Sequence, residues 1–121
     1  MSRESTAARL EREITTWPGV TAGPHRFGGR EFRVGRREIG HLHGEHLADL
    51  PFPLRVRQEL VAAGKAEPHH FLPDTGWVSR PIRGEADVPA VLELFRLNYA
   101  RIVAVGGAGE PLAEGDRGPV V

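Results

Sequence analysis

Ala7, Leu10, Ile14 and Trp17 recur at steps of three and four residues, the spacing of a stripe that one face of a helix buries, with Ser5 placed as its cap and Pro18-Gly19 as its stop. Beyond Val20 the period shortens. The runs VTAGPHRF, REFRV and RREIGHLH alternate over short lengths and are separated by Gly28-Gly29 and Gly35-Arg36, which predicts three antiparallel strands in a meander. LADLPFP then reads as an irregular connection. Pro53 suits the first turn of a second helix through LRVRQELVAAG, which presents Leu54, Val56, Leu60 and Val61 and closes at Gly64. PHHFLP and GWVSRPI flank the turn formers Asp74-Thr75-Gly76 and predict a hairpin. In the last helix Val88, Val91, Leu92, Phe95, Tyr99 and Ile102 form a sustained apolar stripe, with Asp87 as its cap and Pro89 in its first turn.

These elements order as α-β(3)-α-β(2)-α, an α+β two-layer sandwich with an antiparallel sheet and helices on one face. Residues 1–104 are expected to form a single domain, since 121 residues suffice for one core but not for separate cofactor and substrate domains. From 105 to 121 the sequence VGGAGEPLAEGDRGPVV is rich in Gly and Pro and has no apolar period, so a disordered tail is expected there. Its Gly-Gly-Ala-Gly follows a helix and opens none, unlike a phosphate-binding loop.

Charge narrows the partners. Acidic and basic residues number 16 each, which leaves no global field to draw in nucleic acid or an anionic membrane. The absence of cysteine removes disulfides, thiolate catalysis and thiolate-held metals, so any metal must be held by His, Asp and Glu. The N-terminal stretch is charged from its third residue, and no apolar run approaches the roughly 20 residues that span a bilayer, so the expectation is a cytoplasmic protein without membrane contact.

The stretch HLHGEH, 41–46, carries the main chemical signal. His41 and His43, two apart on a strand, emerge on one face with Cα atoms about 7 Å apart, a workable chelating pair for a divalent metal such as zinc. A third ligand could come from Glu45, His46, His69 or His70. Adjacent strand residues face opposite ways, so only one of His69 and His70 can join, and the candidate metal set is His41, His43 and His69. A metal-free pocket fits the same residues, with one ring nitrogen of each His bonded to a neighbouring carbonyl. By strand parity Ile39 shares the histidine face, whereas Glu38 points away and reads as a solvated surface charge. HLHGEH is also similar to the H-x-H-x-D-H motif of metallo-β-lactamase-type hydrolases, but Glu45 stands in the aspartate's place and the chain is too short for that fold.

Other candidates lie on neighbouring elements. In HRFGGREFRVGRR, Arg33 falls opposite Phe32 and Val34 on the outer sheet face, and Arg30, Arg33, Arg36 and Arg37 form a candidate anion patch. Trp77 suits core packing or ligand stacking. Ser79 has no His–acid pair assigned to it and is not read as a nucleophile. The candidate ligand-binding set is thus His41, His43, His69, Trp77 and Arg33.

WPGV (17–20), GREFRVGRREIGHLHG (29–44), DLPFP (49–53), EPHHFLPDTGWVS (67–79) and FRLNYARI (95–102) resemble the luciferase-domain family, small proteins and modules of bacteria and fungi, over 17–103. The element order is similar to that of type III secretion chaperones and YjbR-like proteins. The resemblance implies the fold and carries no reaction or catalytic residue with it; a flavin luciferase needs a larger barrel-type domain than this chain provides. The functional expectation is a small soluble binding or interaction module that uses a His-lined sheet face or cleft, with a small molecule or a protein as partner. The alternatives are a metal-dependent enzyme, hydrolase or oxygenase, centred on HLHGEH, and a nucleic-acid-binding module built on the Arg-rich meander, which the balanced charge does not favour.

Overall fold

In the computed structural model, which describes residues 4–25, 28–69 and 71–106, Ser5 caps helix α1 (Thr6–Ile14): its Oγ accepts the Ala8 N–H at 3.1 Å. His70 and the expected tail from 107 onward lie outside the described residues. The meander follows as β1 (Val20–Pro24), β2 (Arg30–Val34) and β3 (Arg37–His43). The segment read as an irregular connection is a further strand, β4 (Leu47–Pro51), paired with β3 so that His41 lies opposite Asp49 and Leu42 opposite Ala48. Its prolines mislead because Pro51 occupies the last position of the strand, where little of the ladder is lost.

Helix α2 (Leu54–Ala62), β5 (Glu67–Pro68), β6 (Trp77–Pro81), a 3-10 turn (Glu85–Asp87) and α3 (Val88–Ala104) complete the order. The predicted hairpin forms with a shorter first strand and a wider loop, pairing Glu67 with Ser79 and Pro68 with Val78. Pro68 and Pro73 lack the N–H groups that a longer β5 would need. Asp87 precedes α3, but its carboxylate does not cap it; it accepts the Arg83 N–H at 2.7 Å and an Arg80 guanidinium N–H at 3.2 Å.

The strands form one antiparallel sheet in the order β1-β2-β3-β4-β6-β5. Helix α3 lies across β2, β3 and β4 with α1 against it, giving an α+β two-layer sandwich. Phe32, Leu42, Leu50 and Val78 from the sheet meet Val91, Phe95 and Ile102 of α3 and Leu10 and Ile14 of α1 in one buried core. Phe95 packs edge-on to Phe32 with centroids 5.6 Å apart. Gly40 passes so close to α3 that a Cβ there would lie 2.8 Å from Phe95 Cε1 and 2.9 Å from the Asp49 carbonyl oxygen.

A β-bulge sits beside this contact. Phe32 pairs with Gly40 but Arg33 pairs with Glu38, so Ile39 is an extra residue of β3. Asn98, buried in α3, donates its Nδ2–H to the Ile39 carbonyl at 2.8 Å and so satisfies an acceptor at the disturbed ladder. Ile39 enters the core, and Glu38 turns to the face that carries His41.

Candidate functional site

Gly40 faces Phe95 in the helix layer, so its neighbour His41 faces the opposite side of the sheet. Register then lays a polar row across that side: Glu31, His41, Asp49, Ser79 and Glu67 are successive partners on β2, β3, β4, β6 and β5. Asp49, with 0 % exposure, is the centre of the row. Its Oδ1 accepts the Ser79 hydroxyl at 2.7 Å. Its Oδ2 lies 2.9 Å from His43 Nε2, 3.2 Å from His69 Nε2 and 3.5 Å from His41 Nε2.

The ring nitrogens have assignable roles. The Phe71 N–H donates to His69 Nδ1 at 3.1 Å, which leaves Nε2 to donate to Asp49. His41 Nδ1 faces Glu38 Oε2 at 2.6 Å, while its Nε2 approaches His43 Nε2 at 3.1 Å. A carboxylate on Nδ1 holds the proton there and turns Nε2 toward Asp49 and His43. The ligand atoms of His41, His43 and Asp49 all lie within 4.8 Å of one another.

Burial by itself drives His41 toward the neutral form, but its hydrogen bonds to Asp49 and Glu38 outweigh it and raise the pKa from 6.5 to about 9. Asp49 is the mirror case: burial favours the acid, but hydrogen bonds from His41 and Ser79 and the nearby His69 lower its pKa from 3.8 to about 2. His25 is lowered by burial and by repulsion from His41.

His25 arrives from the end of β1. At Gly29, where φ is 84°, a Cβ would lie 2.0 Å from the Leu42 carbonyl oxygen; only glycine lets the β1–β2 connection run this close to β3. The Gly29 carbonyl accepts the His25 N–H at 3.1 Å, and the His25 ring stacks on His41 with centroids 3.9 Å apart and planes 23° apart. His25, Glu38 and His41 also place ligand atoms within 4.8 Å of one another. The stacked His25 ring covers one face of His41.

Trp77 lies against the same cluster, its ring centroid 5.5 Å from His41 and 6.1 Å from His69. It is buried, as expected for packing, yet its Nε1–H has no hydrogen-bond acceptor among the described residues. An orphaned buried donor of this kind costs about 1–3 kcal/mol. Phe71, three-quarters exposed, stands beside His69 at 6.2 Å, and His43 is 35 % exposed, so the cluster opens to solvent at His43.

The other sequence candidates go elsewhere. Arg33 is paired with Glu31, the cross-strand partner of His41, and donates to the Arg36 carbonyl at 2.8 Å. Arg30 forms a two-pronged pair with Glu11 at 2.9 and 3.0 Å, Arg36 is exposed between β2 and β3, and Arg37 is buried. Glu45 accepts the Ala7 N–H at 2.8 Å at the start of α1, and His46 is exposed in the β3–β4 turn. The sequence trio His41, His43 and His69 does come together, but around Asp49, which the loop reading of LADLP concealed. The alternation Leu47, Asp49, Pro51 against Ala48, Leu50 directly after a Gly-containing turn was the available sign. Glu38, read as a surface charge, is instead bonded to His41 because the bulge reverses its parity.

No helix among the described residues is long and apolar enough to cross a membrane. Neither a curated protein nor a solved structure matches the chain. A family profile described as Luciferase domain matches residues 36–98, just over half of the chain. That span runs from the start of β3 into α3 and contains the polar row and its histidines except Glu31 and His25. The chain therefore belongs to the luciferase-domain family.

Proposed function

We propose that the protein binds a divalent transition metal through His41 Nε2, His43 Nε2 and Asp49 Oδ2, and that this centre receives a small-molecule ligand at its open side. The observation that carries the reading is the triangle formed by those three atoms, with edges of 2.9, 3.1 and 3.5 Å. A tetrahedral metal with bonds of about 2.0–2.1 Å sets its ligand atoms about 3.3 Å apart, so the triangle has the size of one tetrahedral face. Glu38 on His41 Nδ1 supplies the outer carboxylate that orients metal-bound imidazoles. Ser79 and His69 hold Asp49, which makes His69 a positioning residue in this arrangement. Two imidazoles and one carboxylate leave positions for water or ligand, a composition suited to hydrolysis with zinc or to oxygen chemistry with iron.

The test is metal analysis of protein purified without an affinity tag. Near-stoichiometric zinc, iron, nickel or copper is expected, lost in His41→Ala/His43→Ala with the circular dichroism spectrum retained. Metal content near zero, together with no rise in melting temperature on adding zinc, sinks the reading.

A metal-free binding pocket is the second reading. It is favoured by the position of His41 between Glu38 and Asp49, which suits an imidazolium clamped by two carboxylates. It expects chelator to leave melting unchanged.

A further inference from the structure

We infer that the indole N–H of Trp77 is the ligand-reading donor of this site, and that the site takes small molecules bearing a carboxylate or carbonyl oxygen on an apolar, preferably aromatic, body. The inference rests on the metal-centre reading for the ligand's second anchor, but its starting observation is independent of it. Trp77 is 4 % exposed, and its Nε1–H is buried with no acceptor among the described residues, although nearly all such groups in folded proteins are paired. The ring lies within 5.5 Å of His41 and 6.1 Å of His69, centroid to centroid. On β6 it stands two residues from Ser79, the residue that bonds Asp49, so both side chains leave the strand on the histidine face. An oxygen entering beside the cluster is the natural acceptor for this donor.

Charge and shape narrow the class. Asp49 and Glu38 already supply two negative charges, so with neutral imidazoles a divalent ion leaves the cluster close to neutral. That balance suits a monoanion or a neutral carbonyl better than a phosphate dianion. Arg33, on this sheet face, is already engaged by Glu31 and the Arg36 carbonyl. The exposed ring of Phe71 beside His69 offers an apolar wall for the body of the ligand.

The probe is benzoate, titrated into zinc-loaded full-length protein while the two tryptophan indole N–H signals are followed by NMR, with Trp77→Phe assigning the Trp77 signal. Benzoate should shift that signal downfield and leave the Trp17 signal in place. Trp77→Phe, which keeps a ring and removes the donor, should weaken benzoate by about tenfold or more with zinc content unchanged. Toluene, which lacks the oxygens, should not shift the signal. If benzoate binds Trp77→Phe as tightly as the wild type, or leaves the Trp77 signal unmoved, the donor role is overturned while the metal reading stands. If the protein takes up no zinc, the metal reading fails alone, and the same titration on metal-free protein decides the donor role. Should Trp77→Phe misfold, Trp17→Phe assigns the two signals by elimination, and the downfield shift in the wild type still decides between the two outcomes.

Discussion

Glu38 and His41 stand three residues apart on one strand, a spacing that should send their side chains to opposite faces, yet Glu38 Oε2 meets His41 Nδ1 at 2.6 Å. The extra residue Ile39 is the cause, and Asn98 of α3 holds the bulge by bonding its carbonyl. A helix on one side of the sheet thus determines which carboxylate reaches the histidines on the other.

Glu38→Gln should preserve a hydrogen-bond acceptor for His41 Nδ1 while removing the charge. Zinc affinity, measured by competition with a chelator, is expected to fall by about 10- to 100-fold, the usual effect of losing an outer carboxylate. An unchanged affinity with zinc still bound would show that Glu38 does not steer His41.

Asn98→Ala removes the donor from the buried Ile39 carbonyl and also the Oδ1 that accepts from Arg101 at 2.8 Å. Stability to urea should drop by about 1–3 kcal/mol. A loss below about 0.5 kcal/mol, the range of an ordinary surface change, would mean that the bulge does not depend on this bond.

The metal-free protein should show a characteristic pH profile. His41, raised from 6.5 to about 9, contributes stability that is fully present below pH 6.5 and lost as pH rises through 9. Asp49, lowered from 3.8 to about 2, contributes stability that is present above pH 3.8 and lost as pH falls through 2. His25, lowered by burial, opposes this by losing stability as pH falls below 6.5. Urea midpoints measured in chelator should therefore peak on the mildly acidic side of neutrality and decline toward pH 9. A midpoint that climbs steadily from 6.5 to 9 would contradict a cationic His41.

Phe95→Ala should cost about 3–5 kcal/mol, because the ring is fully buried between Phe32 and Gly40 and its loss leaves a cavity there. Denaturant unfolding measures it. A cost under about 1 kcal/mol would place Phe95 outside the central contact of the two layers.

Local period and turn chemistry are properties of short segments, and they suffice for α1 with its Ser5 cap, the meander broken at Gly28-Gly29 and Gly35, and the stripe of α3 from Val88 to Ile102. The same local rule places His41 and His43 on one face, and the family motifs are visible in the chain itself. Other features belong to the tertiary structure. β4 is a strand because β3 and β6 pair with it on both sides, whatever its prolines suggest. Glu38 reaches His41 only because Asn98, 59 residues from Ile39, and the close passage of Gly40 over Phe95 accommodate a one-residue slip that no strand period reveals. His25 and His69 join the pair from outside β3, one just beyond the end of β1 and the other just beyond β5. Asp49 becomes the centre of the cluster through cross-strand register alone, since lateral neighbours in a sheet are chosen by long-range packing and hydrogen bonding and not by adjacency along the chain.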